Sequence, residues 1–281
     1  MSPSVRRTPL RRRLPAPAVA VALLVLAVAA VSALFGGLLV PDATAQSLMT
    51  GITFPGPGHP LGTDELGRDV LKLLVAGANT AVLGALAVSA GSMILGNLIG
   101  LPAGYLGGRT DALAMRWADL VLSLPALLVA IVVAGVMGGG FWLAVLVLVV
   151  LFAPTDARVV RGAVLEQRSR AYVEAARLQN LSSWRIMTRH VWPNILPVAL
   201  ANAFLNFAYA LVSLASLSFL GLGVAAGSPD WGRTLSDNKA QLFANPWAAV
   251  APGLAIIITA AAVTVVGDWL QERAERRRLA R

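Results

Sequence analysis

Long apolar runs alternate with shorter polar segments from one end of the chain to the other. Six runs, at residues 16–40, 80–104, 112–136, 140–157, 198–224 and 248–269, are apolar over most of their length. A helix needs about 20 such residues to cross about 30 Å of hydrocarbon. The pattern therefore predicts an all-α integral membrane protein with six transmembrane helices. No segment between the runs has the length and patterning of an independent soluble domain. The chain divides into a basic arm (1–15), one membrane domain (16–270) and a basic tail (271–281). Two longer hydrophilic segments interrupt the membrane domain, at 41–79 and 158–197.

The first run has a competing reading. Arg6, Arg7 and Arg11 to Arg13 precede it, and Ala43-Thr44-Ala45 looks like a signal-peptidase site. The apolar core of a cleaved signal is about 7–15 residues long. Ala16 to Val40 runs to 25, which favours a retained first helix.

Composition supports this reading. Hydrophobic residues make up 57% of the 281 and charged residues 13%, against about 45–50% and about 25% in soluble domains. A water-soluble enzyme is thereby excluded. The 23 Lys and Arg against 14 Asp and Glu give a net charge of +9, which in a soluble chain would suggest nucleic acid. Six spans instead sort 19 of these cations to one face, in the arm (Arg6, Arg7, Arg11, Arg12, Arg13), the second connection (Arg109, Arg116), the fourth connection (Arg158 to Arg189) and the tail (Arg273, Arg276, Arg277, Arg278, Arg281). Only Arg68, Lys72, Arg233 and Lys239 fall on the other face. Basic residues accumulate on the cytoplasmic side of a bilayer, so both termini are expected in the cytoplasm and no nucleic-acid partner is needed. There is no cysteine, and His59 and His190 are too far apart in sequence to suggest a metal site.

The connection from Arg158 to Pro197 reads as two short helices around a turn. Ala171 to Gln179 is rich in helix formers, Asn180 suits a left-handed helix end, and Ser182 or Ser183 can cap the next helix. Pro193 and Pro197 are then expected to stop that helix before the fifth span. Such a segment could simply lie on the lipid surface with its arginines snorkelling. The stretch beginning Glu174-Ala175-Ala176, followed by a turn and a basic helix, resembles the EAA loop of ABC-importer permeases. Four other segments resemble the dipeptide, oligopeptide and nickel branch of that family: "HPLGTDELGRDVL" from His59, "GYLGG" with "AMRWADLVLSLP" up to Pro125, "SLSFLGLGV" with "PDWG" up to Gly232, and "PWAAVAPGLAIIIT" with "GDWL" up to Leu270. They occur in the family's order over residues 16–270. Importers of this branch pair two permeases, and the chain is similar to the second of the dipeptide pair. Asn180 stands where the family usually has Gly, and after Gly267-Asp268 the tail departs from the family's ending.

The resemblance implies a type I importer permease fold and a transport subunit without catalytic residues. It also implies partners: a homologous second permease, two ATP-binding subunits that hold ATP and magnesium, an extracytoplasmic substrate-binding protein, and the lipid bilayer of the cell membrane. No cofactor or metal is expected in this chain. The nearest approach to a phosphate loop, Gly91 to Leu98, lacks the Lys and Ser/Thr that phosphate and magnesium require. Glu174, Ala175, Ala176, Asn180, Arg185 and Arg189 are expected to couple to the ATPase, with Glu174 as an anion for a partner arginine and Arg177 among the cations. Gly62, Thr63, Asp64, Gly67, Arg68 and Asp69 carry the family motif near the outer gate. Their own chemistry suggests a turn into an amphipathic helix, with Leu66, Val70, Leu73 and Leu74 toward lipid and the acids on a solvated face.

Within the fifth span, Asn202, Asn206, Tyr209, Ser213 and Ser216 step by 4, 3, 4 and 3, which puts them on one helical face. They either line a translocation path or bond to neighbouring helices. Gly96, Gly100 and Gly104 allow close helix packing, and Asp119 and Asp156 are expected to pair with Arg116 or Arg158 near helix ends. The leading functional expectation is ATP-driven import of short peptides, with oligopeptides, nickel or a metal chelate as alternative cargo. A secondary transporter would need repeated halves and an ionisable residue deep in a span, and neither is expected here. A purely structural scaffold would have no use for the coupling loop.

Overall fold

The computed structural model describes residues 16–47 and 49–279, with side chains as far as Arg273. The arginines of the N-terminal arm, Arg281 and the side chains of Arg276, Arg277 and Arg278 lie outside the described residues. The chain is predominantly helical, since in hydrocarbon each backbone polar group must be satisfied within its own segment. Helix α1 is Ala16–Leu39, and α2 (Val70–Ala78) continues through a π-helical turn into α3 (Gly84–Leu106). After α4 (Gly108–Leu122) and α5 (Ala126–Val136) comes α6 (Phe141–Arg168), then the short α7 (Ala171–Leu178) and α8 (Ser183–Ile186). A second π-helical turn leads into α9 (Trp192–Phe219), followed by α10 (Trp231–Asn238) and α11 (Pro246–Leu279).

Five helical stretches are long and apolar enough to cross a membrane, and α4 with α5 makes a sixth if that bent pair counts as one span. The run at 112–136 is thus not a straight span: its halves meet at 78°. Pro125, extended at ψ 111°, lacks an N–H and constrains the residue before it, so the helix breaks at Ser123-Leu124. Three other boundaries also move. The second stretch starts at Val70, inside the expected loop, and the fourth runs on to Arg168. The fifth extends from Ser183 and ends at Phe219, before Gly221 at φ +79°. Pro193 and Pro197 do not stop a helix but lie inside α9. The π-turn closes with Trp192 N–H donating to Met187 O, which places Pro193 in the first turn of α9, where no amide partner is needed.

The core is the seam between α3 and α6, with α9 laid across both. Gly91, Gly96, Gly100 and Gly104 of α3 face Val149, Asp156, Ala157 and Val164 of α6 so closely that a Cβ on any of them would collide. Ala85, Val88, Ala144, Leu148 and Leu211 fill the middle with no exposed surface. Small-residue stripes of this kind let helix backbones approach where no hydrophobic effect drives association. Helix α1 joins more lightly, packing Ala22 on Ala262 and Val266 of α11.

Candidate functional site

Three constellations could carry function. The first is the α7–α8 loop. Val173 and Ala176 are buried with Leu101, Tyr105, Val160, Val164, Ile186 and Val191, so the loop is bolted to the ends of α3 and α6. Ala176 therefore faces its own chain, while Glu174 and Ala175 are exposed. Helix α7 ends with Leu181 N–H donating to Ala176 O (3.3 Å) and Asn180 N–H to Arg177 O (2.9 Å), the bond pair of a Schellman motif. Asn180 sits at its left-handed position, φ +55°, and Ser182 caps α8 through Arg185 N–H. Arg185 and Arg189 are exposed, as are Leu178 at 81% and Trp184 at 68%. Asn180→Gly is expected to leave the loop intact. Asn180→Val would force a β-branched residue into the left-handed region, at a cost of about 1–2 kcal/mol. Limited proteolysis within 178–184 checks this: equal cleavage rates for the Val and Gly variants would refute it.

The second constellation lies inside the membrane domain. Asp156 stands near the middle of α6, because that helix continues well past residue 157, and it is 2% exposed. It pairs with neither Arg116 nor Arg158. Arg158 bonds Asp119 instead, and Asp156 Oδ1 accepts the amides of Asn202 and Asn206, the latter at 2.8 Å. A buried acid deep in a span is thus present, which corrects the expectation that the spans hold none. It also divides the polar stripe of α9: Asn202 and Asn206 tie α9 to α6, whereas Tyr209 is 67% exposed. Ser216 bonds back to Val212 O and lines a cleft of about 410 Å³ with Phe219, Leu220 and Leu235. Sequence reasoning missed the Asp156 node, and the signal was Val160 and Val164, which continue the apolar face of α6 beyond the acid.

The third constellation is the family motif at the opposite end of the bundle. Gly62, Thr63, Asp64, Gly67, Arg68 and Asp69 fold back over the starts of α2, α10 and α11 as a closed loop. Asp64 accepts the backbone N–H groups of Leu66 and Arg68 (both 2.9 Å) and Arg68 Nε (2.7 Å). Arg68 also donates to Gly227 O at 3.1 Å. Asp64 and Arg68 are 0% and 4% exposed, so the acids form no solvated face. Only Glu65 is exposed. Val70 and Leu73 are also buried rather than turned to lipid, Val70 against Leu61, Ala248 and Ala251. Thr63 Oγ1 donates to Gly51 O (2.7 Å), Asp69 caps α2 and pairs with His59 (2.8 Å), and Asn245 donates to Leu61 O and Thr63 O. Gly62 and Gly67 take φ +73° and +69° against the carbonyls of Thr53 and Ser47, where no side chain fits.

Next to this loop, Asp230 caps α10 and accepts the Thr80 hydroxyl at 2.9 Å, while Trp231 Nε1 donates to Leu74 O at 2.8 Å. Burial pushes the Asp230 carboxyl above its ordinary range, opposed by the bonds from Arg233 N–H and Thr80. At the rim, a hydrogen bond from Lys72 (2.5 Å) holds the exposed Asp42 carboxyl below its usual range. The "PDWG" segment thus fastens the start of α10 to α2 and to the π-helical turn after it, a link that spacing alone could not reveal.

Residues 96–279 match the family described as "Binding-protein-dependent transport system inner membrane component". The chain is 33% identical over 242 residues to the dipeptide transport system permease protein DppC of Alkalihalophilus pseudofirmus, covering 85% of this chain and 79% of that one. It is 37% identical over 212 residues to the di/tripeptide transport system permease protein DppC of Pseudomonas aeruginosa, covering 75% and 70%. The nickel transport system permease protein NikC of Escherichia coli is 32% identical over 255 residues, covering 90% and 92%. Among solved structures, an inward-facing form of the MetNI methionine ABC transporter superposes with a TM-score of 0.54 at 21% identity, covering 73% of this chain and 97% of that one. That likeness supports the type I importer fold. This chain belongs to the binding-protein-dependent inner-membrane transport family, as a multi-pass permease subunit of an ABC importer.

Proposed function

We propose that the chain forms half of a translocation path for short peptides, paired with a homologous permease and driven by two ATP-binding subunits that hold ATP and magnesium. A substrate-binding protein delivers cargo at the end capped by Gly62 to Asp69, and the α7–α8 loop and both termini face the cytoplasm. The observation that carries this reading is the construction of the loop. Its inner face is fixed to α3 and α6 by Val173, Ala176 and Ile186, while Glu174, Leu178, Trp184, Arg185 and Arg189 stay exposed. A rigid attachment with an uncovered mixed apolar and charged surface suits a part that receives a partner's motion and passes it to the spans. Tyr209, Ser213 and Ser216 line the path, and Asn202 and Asn206 position α9 beside it through Asp156.

Peptide cargo is favoured by the names of the relatives and by a neutral hydroxyl lining that suits peptide groups. Nickel, which one relative is named for, is less well served: among the described residues no group of three His, Cys, Asp or Glu could hold a metal ion. The buried Asp156 would suit an ion-coupled carrier, so the energy source is worth testing directly. Reconstituted with its permease, ATPase and binding-protein partners, the wild type is expected to hydrolyse ATP faster when di- or tripeptides are supplied. Glu174→Arg should lose most of that stimulation. Uptake driven by an imposed ion gradient without ATP would favour the carrier instead, and unchanged stimulation in Glu174→Arg would remove the coupling role.

A further inference from the structure

Where the α7–α8 loop meets the ends of α3 and α6, a cleft of about 390 Å³ is lined by Tyr105, Leu106, Arg168, Arg177, Asn180 and Ser183, among others. Its charge is unbalanced. Three acids nearby are engaged elsewhere, Asp111 with Arg161, Asp119 with Arg158 and Glu166 with Arg170, and Glu174, on the same helix as Arg177, stands on the exposed surface and does not line the cleft. Neither Arg168 nor Arg177 has an ion pair with an acid among the described residues. Arg177 is instead held 5.2 Å over the Tyr105 ring, with Nε donating to its hydroxyl at 3.3 Å. Arg168 lies against Gly107, its Nη1 3.3 Å from where a Cβ would sit. Gly107 is also the N-cap of the 15-residue α4, with no side-chain cap bond. Arg168 thus stands beside the positive end of a helix dipole and shares its cleft with Arg177, and two like charges so placed repel one another unless an anion joins them.

We infer that this cleft binds a phosphate-bearing anion, and that its natural occupant is the headgroup of an anionic phospholipid. Planar guanidinium groups with hydroxyl and amide donors match phosphate oxygens, and basic pockets between span ends collect anionic headgroups. Leu106, 48% exposed beside the cleft, offers an apolar surface where an acyl chain would leave the headgroup. A free phosphate would use the donors but not Leu106.

The test uses the full-length chain, purified with its partners in a neutral detergent. Its unfolding temperature is measured with dioleoylphosphatidylglycerol, with dioleoylphosphatidylcholine or with inorganic phosphate, and bound lipid is weighed by native mass spectrometry. Phosphatidylglycerol is expected to raise the unfolding temperature and remain bound, and phosphatidylcholine to do neither. Arg168→Gln combined with Arg177→Gln should reduce the phosphatidylglycerol shift to the phosphatidylcholine level, whereas Arg116→Gln on α4 should keep it. Should the double variant fail to fold, Ser183→Asp decides. It places an anion in the cleft at a helix N-terminus that tolerates one, and it should likewise abolish the shift. An equal shift from inorganic phosphate, lost in the same variants, would keep the anion site but make free phosphate its ligand. A phosphatidylglycerol shift that persists in Ser183→Asp, or that phosphatidylcholine reproduces, would overturn the inference.

Discussion

Asp64→Ala is expected to deplete the folded permease from the membrane. The substitution leaves the Arg68 guanidinium, 4% exposed, without its counter-charge and strips the acceptor from two backbone amides. Removing one partner of a buried pair costs about 3–5 kcal/mol, a large part of the roughly 5–15 kcal/mol that holds a protein folded. Asp64→Asn should fall between, since its carbonyl can still accept the amides while the charge is lost. Asp42→Ala, which breaks only an exposed pair with Lys72, should resemble the wild type. The measure is the yield of monodisperse detergent-extracted protein and its unfolding temperature. If Asp64→Ala behaves like Asp42→Ala, the buried cap is not the structural element argued for.

Gly100→Val should separate α3 from α6. A Cβ at residue 100 would meet the Ala157 carbonyl oxygen and, at 3.0 Å, Val160 Cβ. The first of these is backbone and cannot turn aside. Overpacking a tight core costs about 1–3 kcal/mol, and here the added bulk also pulls Asp156 away from Asn202 and Asn206. Gly162→Ala is the contrasting change, because nothing lies within 4 Å of its Cβ position. In a helix interior that change should stabilise by about 0.5–1 kcal/mol. Comparable unfolding temperatures for the two variants would contradict the packing described.

The two substitutions also mark how far the sequence is legible. Spacing of Gly96, Gly100 and Gly104 announces a close helix contact, and the structure supplies its partner, α6. The left-handed turn at Asn180 is readable because a single residue's conformational preference decides it. The sealed loop at Gly62 to Asp69 is not. Period and polarity give the acids a solvated face, and the distant Gly227 and Asn245 help to close the loop through contacts more than 150 residues apart that no local pattern encodes. Asp156 is hidden for a related reason. The apolar run ends at residue 157, so the acid looks terminal, while the helix continues on an amphipathic face. Pro125 carries a break that apolar periodicity conceals, and Pro193 looks like a stop because a π-turn ahead of it leaves no trace in hydropathy.

The proposed coupling role makes the α7–α8 loop the place where the ATPase meets the permease. The chain has no cysteine of its own, so one introduced thiol is a unique probe. Ala175→Cys places it on the exposed surface of α7, and Phe243→Cys places one on the fully exposed residue at the opposite end. In the assembled importer, a short thiol cross-linker should join Ala175→Cys to an ATP-binding subunit and leave Phe243→Cys unjoined. A thiol at 175 that labels freely with maleimide in the complete complex, and never cross-links to an ATP-binding subunit, would rule out this loop as the docking site.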